Sequence, residues 1–217
     1  MTIEQAGGVL PDAIYDAVRA DILDQTETPG SALTESAIAA RFGVARPTAK
    51  LALERLVGEG LLRREHHKTA RIPQLSREDI SDVFENRAII ESVASSALAR
   101  AGAVPPAAVA AHRRLVTSAA AGDFARDDIA FHRALVAGQP SPRLTRMHEV
   151  LMGEVELGIG QVQAHHLLAA ADVAEQHQNI LNAIVAGDPV LAERLTRDHI
   201  NGAREALLAH YDANSEK

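Results

Sequence analysis

The chain has 217 residues, of which 47% are hydrophobic but only 3% aromatic, and it contains no cysteine. A core must therefore be built from Ala, Leu, Val and Ile, which favours packed helices over a β-sandwich. The lack of cysteine excludes disulfides, thiolate metal sites and cysteine nucleophiles. The sequence has neither a signal-peptide pattern nor a run of 18 apolar residues, so we expect a cytoplasmic protein that does not enter a membrane.

The net charge of -7 is distributed unevenly along the chain. Residues 41–71 carry eight basic and three acidic side chains, a local charge of +5, whereas residues 1–40 and residues 72–217 each carry -6. Because contacts with DNA phosphates require positive charge, the basic stretch is typical of a small DNA-reading module. The alternative interpretation is a solvated helix face of mixed charge.

Three short helices are predicted in the first sixty residues, over 11–23, 35–41 and from 47 to about 59. Ile14, Val18 and Ile22 recur every four residues, which is the spacing of an amphipathic helix. Gly43 can adopt the positive φ that ends the second helix sharply. Pro47 suits a first helical position and therefore indicates where the third helix begins.

The third helix ends at Gly60, and the segment LLRREHHKTARIPQ that follows predicts two short strands around a polar turn at residues 66–69. Two helices joined by a tight glycine turn, the second beginning with basic residues, form the arrangement that places a recognition helix in the major groove of DNA. The sequence therefore predicts a winged helix-turn-helix with three helices and a small β-wing.

The segment PGSALTESAIAARFGVARPTAKLALERLVGEGLLRRE resembles the DNA-binding region of the GntR regulators. The family pattern contains PG, L-x-E, a glycine turn before the recognition helix and a closing E-G-L. The residues of this chain that match the pattern are Pro29, Gly30, Leu33, Glu35, Gly43, Val44, Arg46, Leu53, Leu56, Glu59, Gly60 and Leu61.

The resemblance implies that Arg46, Thr48 and Lys50 contact DNA from the recognition helix, and that His66 reaches the minor groove from the wing tip. Arginine can donate two hydrogen bonds to a guanine edge, whereas lysine is a point charge that suits a phosphate. We therefore expect Arg46 to provide sequence preference and Lys50 to anchor the helix. Because a residue before proline is disfavoured in the α region, Arg46 is predicted to lie just outside the helix.

Residues 71–76 are predicted to form an extended linker, which divides the chain into a DNA-binding domain over 1–73 and a second domain over 77–217. The second domain has helical periodicity throughout, so the expected fold class is mainly α, with an all-α antiparallel bundle after the winged helix-turn-helix. Val83, Ile90, Val93 and Leu98 mark its first helix, and Asp123 is the predicted cap of its third. The other helices are predicted at 106 to about 120, 123–137, 141–161, 170–186 and 189–210.

Asp128 and His132 are four residues apart on a predicted helix, so their side chains lie on one face and can chelate one ion. An i,i+4 pair of this kind also occurs by chance. His177 and His199 lie within two later helices. The segments around these four residues, DDIAFHRAL, AEQHQNILNAIVAGD and LAERLTRDHI, resemble the FCD effector domain of the GntR regulators. That resemblance implies that Asp128, His132, His177 and His199 are the four ligands of a metal ion.

Three imidazoles and one carboxylate suit a divalent transition metal (Zn, Ni, Mn or Co, with Zn or Ni favoured) rather than Ca or Mg. The family also implies a small effector that bears a carboxylate. Arg87 and Glu91, four residues apart on the first helix of the domain, match a common feature of that helix. Arg87 is expected to pair with the effector carboxylate and Glu91 to orient Arg87. A plain ion pair on the helix surface is the alternative.

Three functions are compatible with these residues. The first is an effector-responsive transcription regulator, expected to be a repressor, that binds a double-stranded operator as a homodimer. The second is a regulator for which the metal itself is the signal. The third is a metallohydrolase with a three-histidine, one-aspartate site. A hydrolase leaves the basic N-terminal module unexplained, and the sequence has no H-E-x-x-H motif, so we expect a protein that is not an enzyme.

Overall fold

The structure is a computed structural model that describes residues 10–66, 68–118, 125–161 and 167–215. The chain divides into two compact units, Met1–Leu75 and Ser76–Lys217. In the described ranges, no helix is both long enough and apolar enough to cross a membrane.

The first unit contains three helices and two short strands. They are α1 (Leu10–Leu23), β1 (Ala32–Leu33), α2 (Glu35–Phe42), α3 (Arg46–Gly58) and β2 (Ala70–Arg71). α1 buries Ile14, Val18 and Ile22, which are the residues of its predicted apolar stripe. They share a core with Leu53 and Leu56 of α3, both fully buried. The predicted three-helix arrangement is therefore confirmed.

α2 and α3 are joined by the tight turn that the glycine predicted. The side chain of Thr34 accepts a hydrogen bond from the backbone N–H of Ala37 and so caps α2 at its start. Gly43 has φ 66° and ψ 35°, and its N–H donates to the carbonyl of Ala39. Only glycine adopts this left-handed conformation without a steric penalty, so α2 ends there and the chain turns into α3.

The expected position of Arg46 outside the third helix is wrong. Arg46 is the first residue of α3, and Ala45 is the cap, because the carbonyl of Ala45 accepts from the N–H groups of Thr48 and Ala49. Pro47 then occupies the first turn, where a missing N–H costs no hydrogen bond. The bias against helical residues before proline is a preference, and Arg46 does not follow it.

The wing is smaller than the predicted two-stranded hairpin. β2 pairs antiparallel with β1, with Ala32 opposite Arg71 and Leu33 opposite Ala70. The hairpin itself is reduced to one antiparallel bridge between Arg63 and Arg71, which exchange backbone hydrogen bonds of 2.8 and 2.9 Å.

The second unit is all helical in its described part, as predicted. Its helices are α4 (Arg77–Ala101), α5 (Pro106–Ser118), α6 (Ala125–Ala137), α7 (Pro142–Gln161), α8 (Ala170–Val185) and α9 (Pro189–Ser215). The predicted cap Asp123 lies outside the described residues. The two longest helices, α4 and α9, pack along each other, and α4 also contacts α6, α7 and α8. Phe131, Leu135, Ile180 and Ile184 are fully buried in the core beside them.

The buried face of α4 differs from the predicted one. Val83 and Leu98 are buried, but Val93 is 52% exposed. Several inward positions are taken by polar residues, among them Arg87 and Glu91. Apolar periodicity missed Arg87 and Glu91, whose burial is tolerable because they pair with each other inside the bundle.

A capping box fixes the start of α4, and Ser76→Ala tests it. The Ser76 hydroxyl accepts from the N–H of Asp79, and the Asp79 carboxylate accepts from the N–H of Ser76. Loss of the hydroxyl leaves a helix donor unpaired, so we expect the free energy of unfolding to fall by about 1 kcal/mol in urea titrations. Ser81→Ala is the control, because it removes only the hydrogen bond from the Ser81 hydroxyl to Glu85 on the same helix. Equal effects of the two substitutions would show that the cap contributes no more than that hydrogen bond.

Candidate functional site

The second unit brings four potential metal ligands together in its interior. Asp128 and His132 lie on α6, His177 on α8 and His199 on α9. One donor atom from each residue lies within 4.8 Å of the donor atoms of the other three. His132 and His177 are fully buried, His199 is 7% exposed, and the Asp128 side chain is 19% exposed.

Four of the six donor-atom separations are close to those expected of ligands that share one ion. Nε2 of His199 lies 3.1 Å from Nε2 of His132 and 3.3 Å from Nε2 of His177. Oδ1 of Asp128 lies 3.3 Å from Nε2 of His177 and 3.6 Å from Nε2 of His132. Ligands about 2.1 Å from a metal ion lie about 3.0–3.4 Å from each other. The four residues therefore fit a single transition-metal ion.

Each histidine of the cluster is held by a different neighbour. His132 Nδ1 lies 2.5 Å from Glu91 Oε2, and His199 Nδ1 lies 2.6 Å from Gln176 Oε1. The ring of His177 stacks on Phe131 with centroids 3.8 Å apart, and its Nδ1 has no partner in the described part of the chain. With Nδ1 donating to an oxygen, the Nε2 lone pairs of His132 and His199 point into the cluster, as metal ligation requires.

The electrostatics of the cluster favour a bound cation. Burial opposes protonation of His132, but the carboxylates of Glu91 and Asp128 raise its pKa above the usual value. Burial lowers the pKa of His177 to about 4, and burial together with the neighbouring His132 lowers the pKa of His199 well below its usual value. Two imidazoles are thus neutral and able to ligate at neutral pH, while two carboxylates stabilise positive charge among them.

Arg87 and Glu91 are a buried pair rather than a surface pair. Arg87 Nε donates to Glu91 Oε1 at 2.6 Å, and the two side chains are 3% and 0% exposed. Burial alone would raise the pKa of Glu91, but Arg87 and His132 hold it well below the usual range. The carboxylate that Arg87 binds in this structure is therefore one supplied by the chain itself.

Sequence reasoning missed His148 and Gln176. His148 Nε2 lies 2.9 Å from Glu91 Oε1, and its side chain is 1% exposed. Its position could have been inferred, because it shares one face of α7 with the buried residues Met152 and Val155. Gln176, by contrast, has no sequence signal beyond its place beside His177.

A groove of about 320 Å³ between α8 and α9 reaches the cluster at His199. Its lining includes Gln176, the partner of His199 Nδ1, and two carboxylates, Asp172 and Asp198. The volume is at the lower end of the range typical of small-molecule sites. A ligand in this groove lies against His199, the most exposed of the three histidines in the cluster.

The residues assigned to DNA contacts are accessible in the first unit. Arg46 and Lys50 are exposed on α3, and Thr48 between them is half-buried. Lys50 Nζ lies 3.5 Å from Glu54 on the same face, an exposed pair that contributes little to stability. His66 is exposed in the turn of the wing. The structure thus presents all four side chains at the surface of the helix-turn-helix unit.

Comparison with known proteins identifies both units. Residues 10–72 match the family described as bacterial regulatory proteins, gntR family, and residues 82–202 match the FCD domain. The HTH-type transcriptional repressor GlaR of Escherichia coli (strain K12) is 28% identical over 86% of this chain and 90% of its own length. The HTH-type transcriptional regulator Mce2R of Mycobacterium tuberculosis (strain CDC 1551 / Oshkosh) is 26% identical over 92% of each chain.

Solved structures share the fold. A GntR transcriptional regulator from Rhodococcus sp. RHA1 superimposes with a TM-score of 0.75, with 22% identity, over 92% of this chain and 97% of the other. These relatives are transcription regulators and not enzymes, which excludes the hydrolase interpretation. The FCD match alone covers more than half of the chain. The protein therefore belongs to the GntR family of bacterial transcription regulators, in the group that joins the DNA-binding unit to an FCD domain.

Proposed function

We propose that this regulator is a homodimeric repressor that leaves its operator when a small organic acid binds at a metal ion in the second unit. The observation that carries the proposal is the convergence of Asp128, His132, His177 and His199, whose donor atoms lie within 4.8 Å inside the FCD domain. The sign of regulation is proposed from the E. coli relative, which is named a repressor.

The donor set supports a divalent transition metal, with Zn or Ni preferred to Mn or Co. The four side chains would hold the ion, and the ion would supply the positive charge and a free coordination position for an effector carboxylate. The groove beside His199 supports a metal-dependent effector site. Asp172 and Asp198 repel a carboxylate, so an organic acid binds there only when a cation compensates their charge.

In the first unit, Arg46, Thr48, Lys50 and His66 are proposed to contact the operator. The exposure of Arg46 and Lys50 at the start of α3 supports this assignment, because the N-terminal residues of a recognition helix are those that reach base edges. Effector binding would change the spacing of two such helices in a dimer, so that they no longer match both half-sites.

The proposal is tested by footprinting the purified protein on genomic DNA, followed by a screen of organic acids for release of the footprinted site at saturating Zn²⁺. We expect one class of organic acid to release the DNA. If no organic acid releases it while titration of the metal alone does, the protein is a metal sensor. The metal-sensor function is the second candidate because the ligand cluster alone is sufficient for it.

Removal of the metal should weaken the binding of organic acids. Protein stripped with a chelator retains the negative charge in the groove and lacks the compensating cation. We therefore expect its affinity for the active organic acid, measured by calorimetry, to fall by at least about tenfold, which corresponds to a loss of roughly 1.4 kcal/mol in binding free energy. Restoring Zn²⁺ is the control and should restore binding. Unchanged binding to the stripped protein would contradict an effector site that depends on the metal.

A further inference from the structure

The Glu91 carboxylate is a buried hub that joins three helices. Its Oε1 lies 2.6 Å from Arg87 Nε and 2.9 Å from His148 Nε2, and its Oε2 lies 2.5 Å from His132 Nδ1. Arg87 and Glu91 lie on α4, His132 on α6 and His148 on α7. All four side chains are at most 3% exposed. A carboxylate can accept several hydrogen bonds, and here three donors surround it without contact with bulk solvent.

This arrangement determines what His132 can do. An ionised carboxylate only accepts hydrogen bonds, so a neutral His132 must carry its proton on Nδ1 and leave the Nε2 lone pair free. Nε2 of His132 is the atom that lies 3.1 Å from Nε2 of His199 in the ligand cluster. A histidine ligand whose other nitrogen donates to a carboxylate is a more basic and better oriented ligand.

The hub also determines what Arg87 can do. Glu91 already provides a carboxylate to the Arg87 guanidinium, and the pair is buried. If Arg87 left Glu91 for the carboxylate of an effector, a charge in the interior would lose its compensating partner, which is strongly unfavourable. The geometry therefore favours a permanent pair over an exchangeable one.

We infer that Arg87, Glu91 and His148 are positioning residues for the metal ligand His132, and that Arg87 and Glu91 do not contact the effector. Arg87 and His148 fix the Glu91 carboxylate from one side, and Glu91 fixes the tautomer and orientation of His132 on the other. The inference rests on the proposed metal centre, and it replaces the effector contact that sequence resemblance implies for Arg87.

The test is the Zn²⁺ affinity of the full-length Glu91→Gln protein, measured by competition with a chromogenic chelator. The amide cannot serve all three donors, so we expect affinity to fall by about 10- to 100-fold. Glu85→Gln is the matched control, since Glu85 lies on the exposed side of the same helix and pairs with Arg204. An affinity for Glu91→Gln equal to that of Glu85→Gln would overturn the inference.

Arg87→Met separates the two possible roles of the arginine, with citrate as the probe acid. The positioning role predicts weaker Zn²⁺ binding, whereas direct effector contact predicts unchanged Zn²⁺ affinity and lost citrate binding, and the latter result overturns the inference. His148→Leu removes one of the three donors but keeps the charged pair. It serves if the other variants do not fold, and it too should weaken Zn²⁺ binding, by several-fold. Unchanged affinity of folded His148→Leu would overturn the inference.

The protonation and ligation state of the His132 ring distinguishes a positioning role of Glu91 from a merely structural effect of the substitution. In the Zn²⁺-loaded wild type, nitrogen NMR of the histidine side chains should show His132 protonated at Nδ1 and ligated at Nε2, and the Nδ1 proton signal should change in Glu91→Gln. His132 protonated at Nε2 would overturn the inference. Failure of the wild type to bind Zn²⁺ at all would instead contradict the proposed metal centre, so the two failures are distinguishable.

Discussion

The double substitution His177→Ala and His199→Ala should leave the protein without bound metal, whereas the wild type retains one ion per chain after dialysis. The two imidazoles are half of the donor set, and their Nε2 atoms lie 3.3 Å apart. Asp128 and His132 alone remain, and two ligands on one helix hold an ion too weakly to survive dialysis. Elemental analysis of the dialysed proteins measures the difference directly.

The same variant should lose the stabilisation that metal gives to the folded protein. Free metal at 100 times its dissociation constant adds about 2.7 kcal/mol to the free energy of unfolding, and this increment should vanish in the variant. His210→Ala, a histidine of α9 outside the cluster, is the control and should keep both the ion and the increment. Stoichiometric metal in the double variant would show that the ligand set is wrong.

Replacing Arg46 with alanine should remove the preference for the operator over other DNA. A bidentate arginine contact with guanine contributes about 1–3 kcal/mol of discrimination, and Arg46 is the exposed basic residue at the first position of α3. Competition between operator and random duplexes, measured at fixed salt, tests this. Unchanged operator preference in Arg46→Ala would mean that another residue reads the sequence.

Lys50→Ala is the matched variant for that experiment, because Lys50 lies one helical turn further along α3 and is also exposed. A phosphate contact carries no sequence information, so we expect affinity for all duplexes to fall alike. The slope of log affinity against log salt should decrease by about one. A selective loss of operator binding in Lys50→Ala would reverse the two assignments.

Most helix bounds follow from the sequence because this chain marks its turns with glycine and proline. Gly43 and Gly187 adopt positive φ where a predicted helix ends, and Gly102 does the same at the end of α4. Pro106 and Pro189 begin the helices predicted from them. Such residues act through local sterics, so their effect does not depend on the rest of the fold.

The errors have two sources. Arg46 is helical although proline follows it, because the bias against such residues is only a preference and the local hydrogen bonds of α3 begin at Ala45. On α4, tertiary contacts override local preference. Val93 is exposed although it fits the apolar period of α4. The polar residues that replace it on the inner face, such as Glu91, are stable there only because partners on other helices satisfy them.

The candidate site shows the same division between local and distant information. The i,i+4 spacing of Asp128 and His132 predicted a shared helix face, and both side chains indeed join one cluster. The meeting of His177 with His199 across two helices was implied only by family resemblance. The contacts of Glu91 with His132 and His148 span 41 and 57 residues, and no local pattern encodes such distances.

The most direct test of the account is the operator affinity of the full-length protein, measured while the organic acid found in the screen is titrated at saturating Zn²⁺. The wild type should release the operator as the acid is added. The His177→Ala and His199→Ala double variant should bind the same operator and remain bound at every concentration of the acid. Release of the operator by the double variant at the wild-type concentration of acid would contradict a regulator whose effector acts through this metal centre.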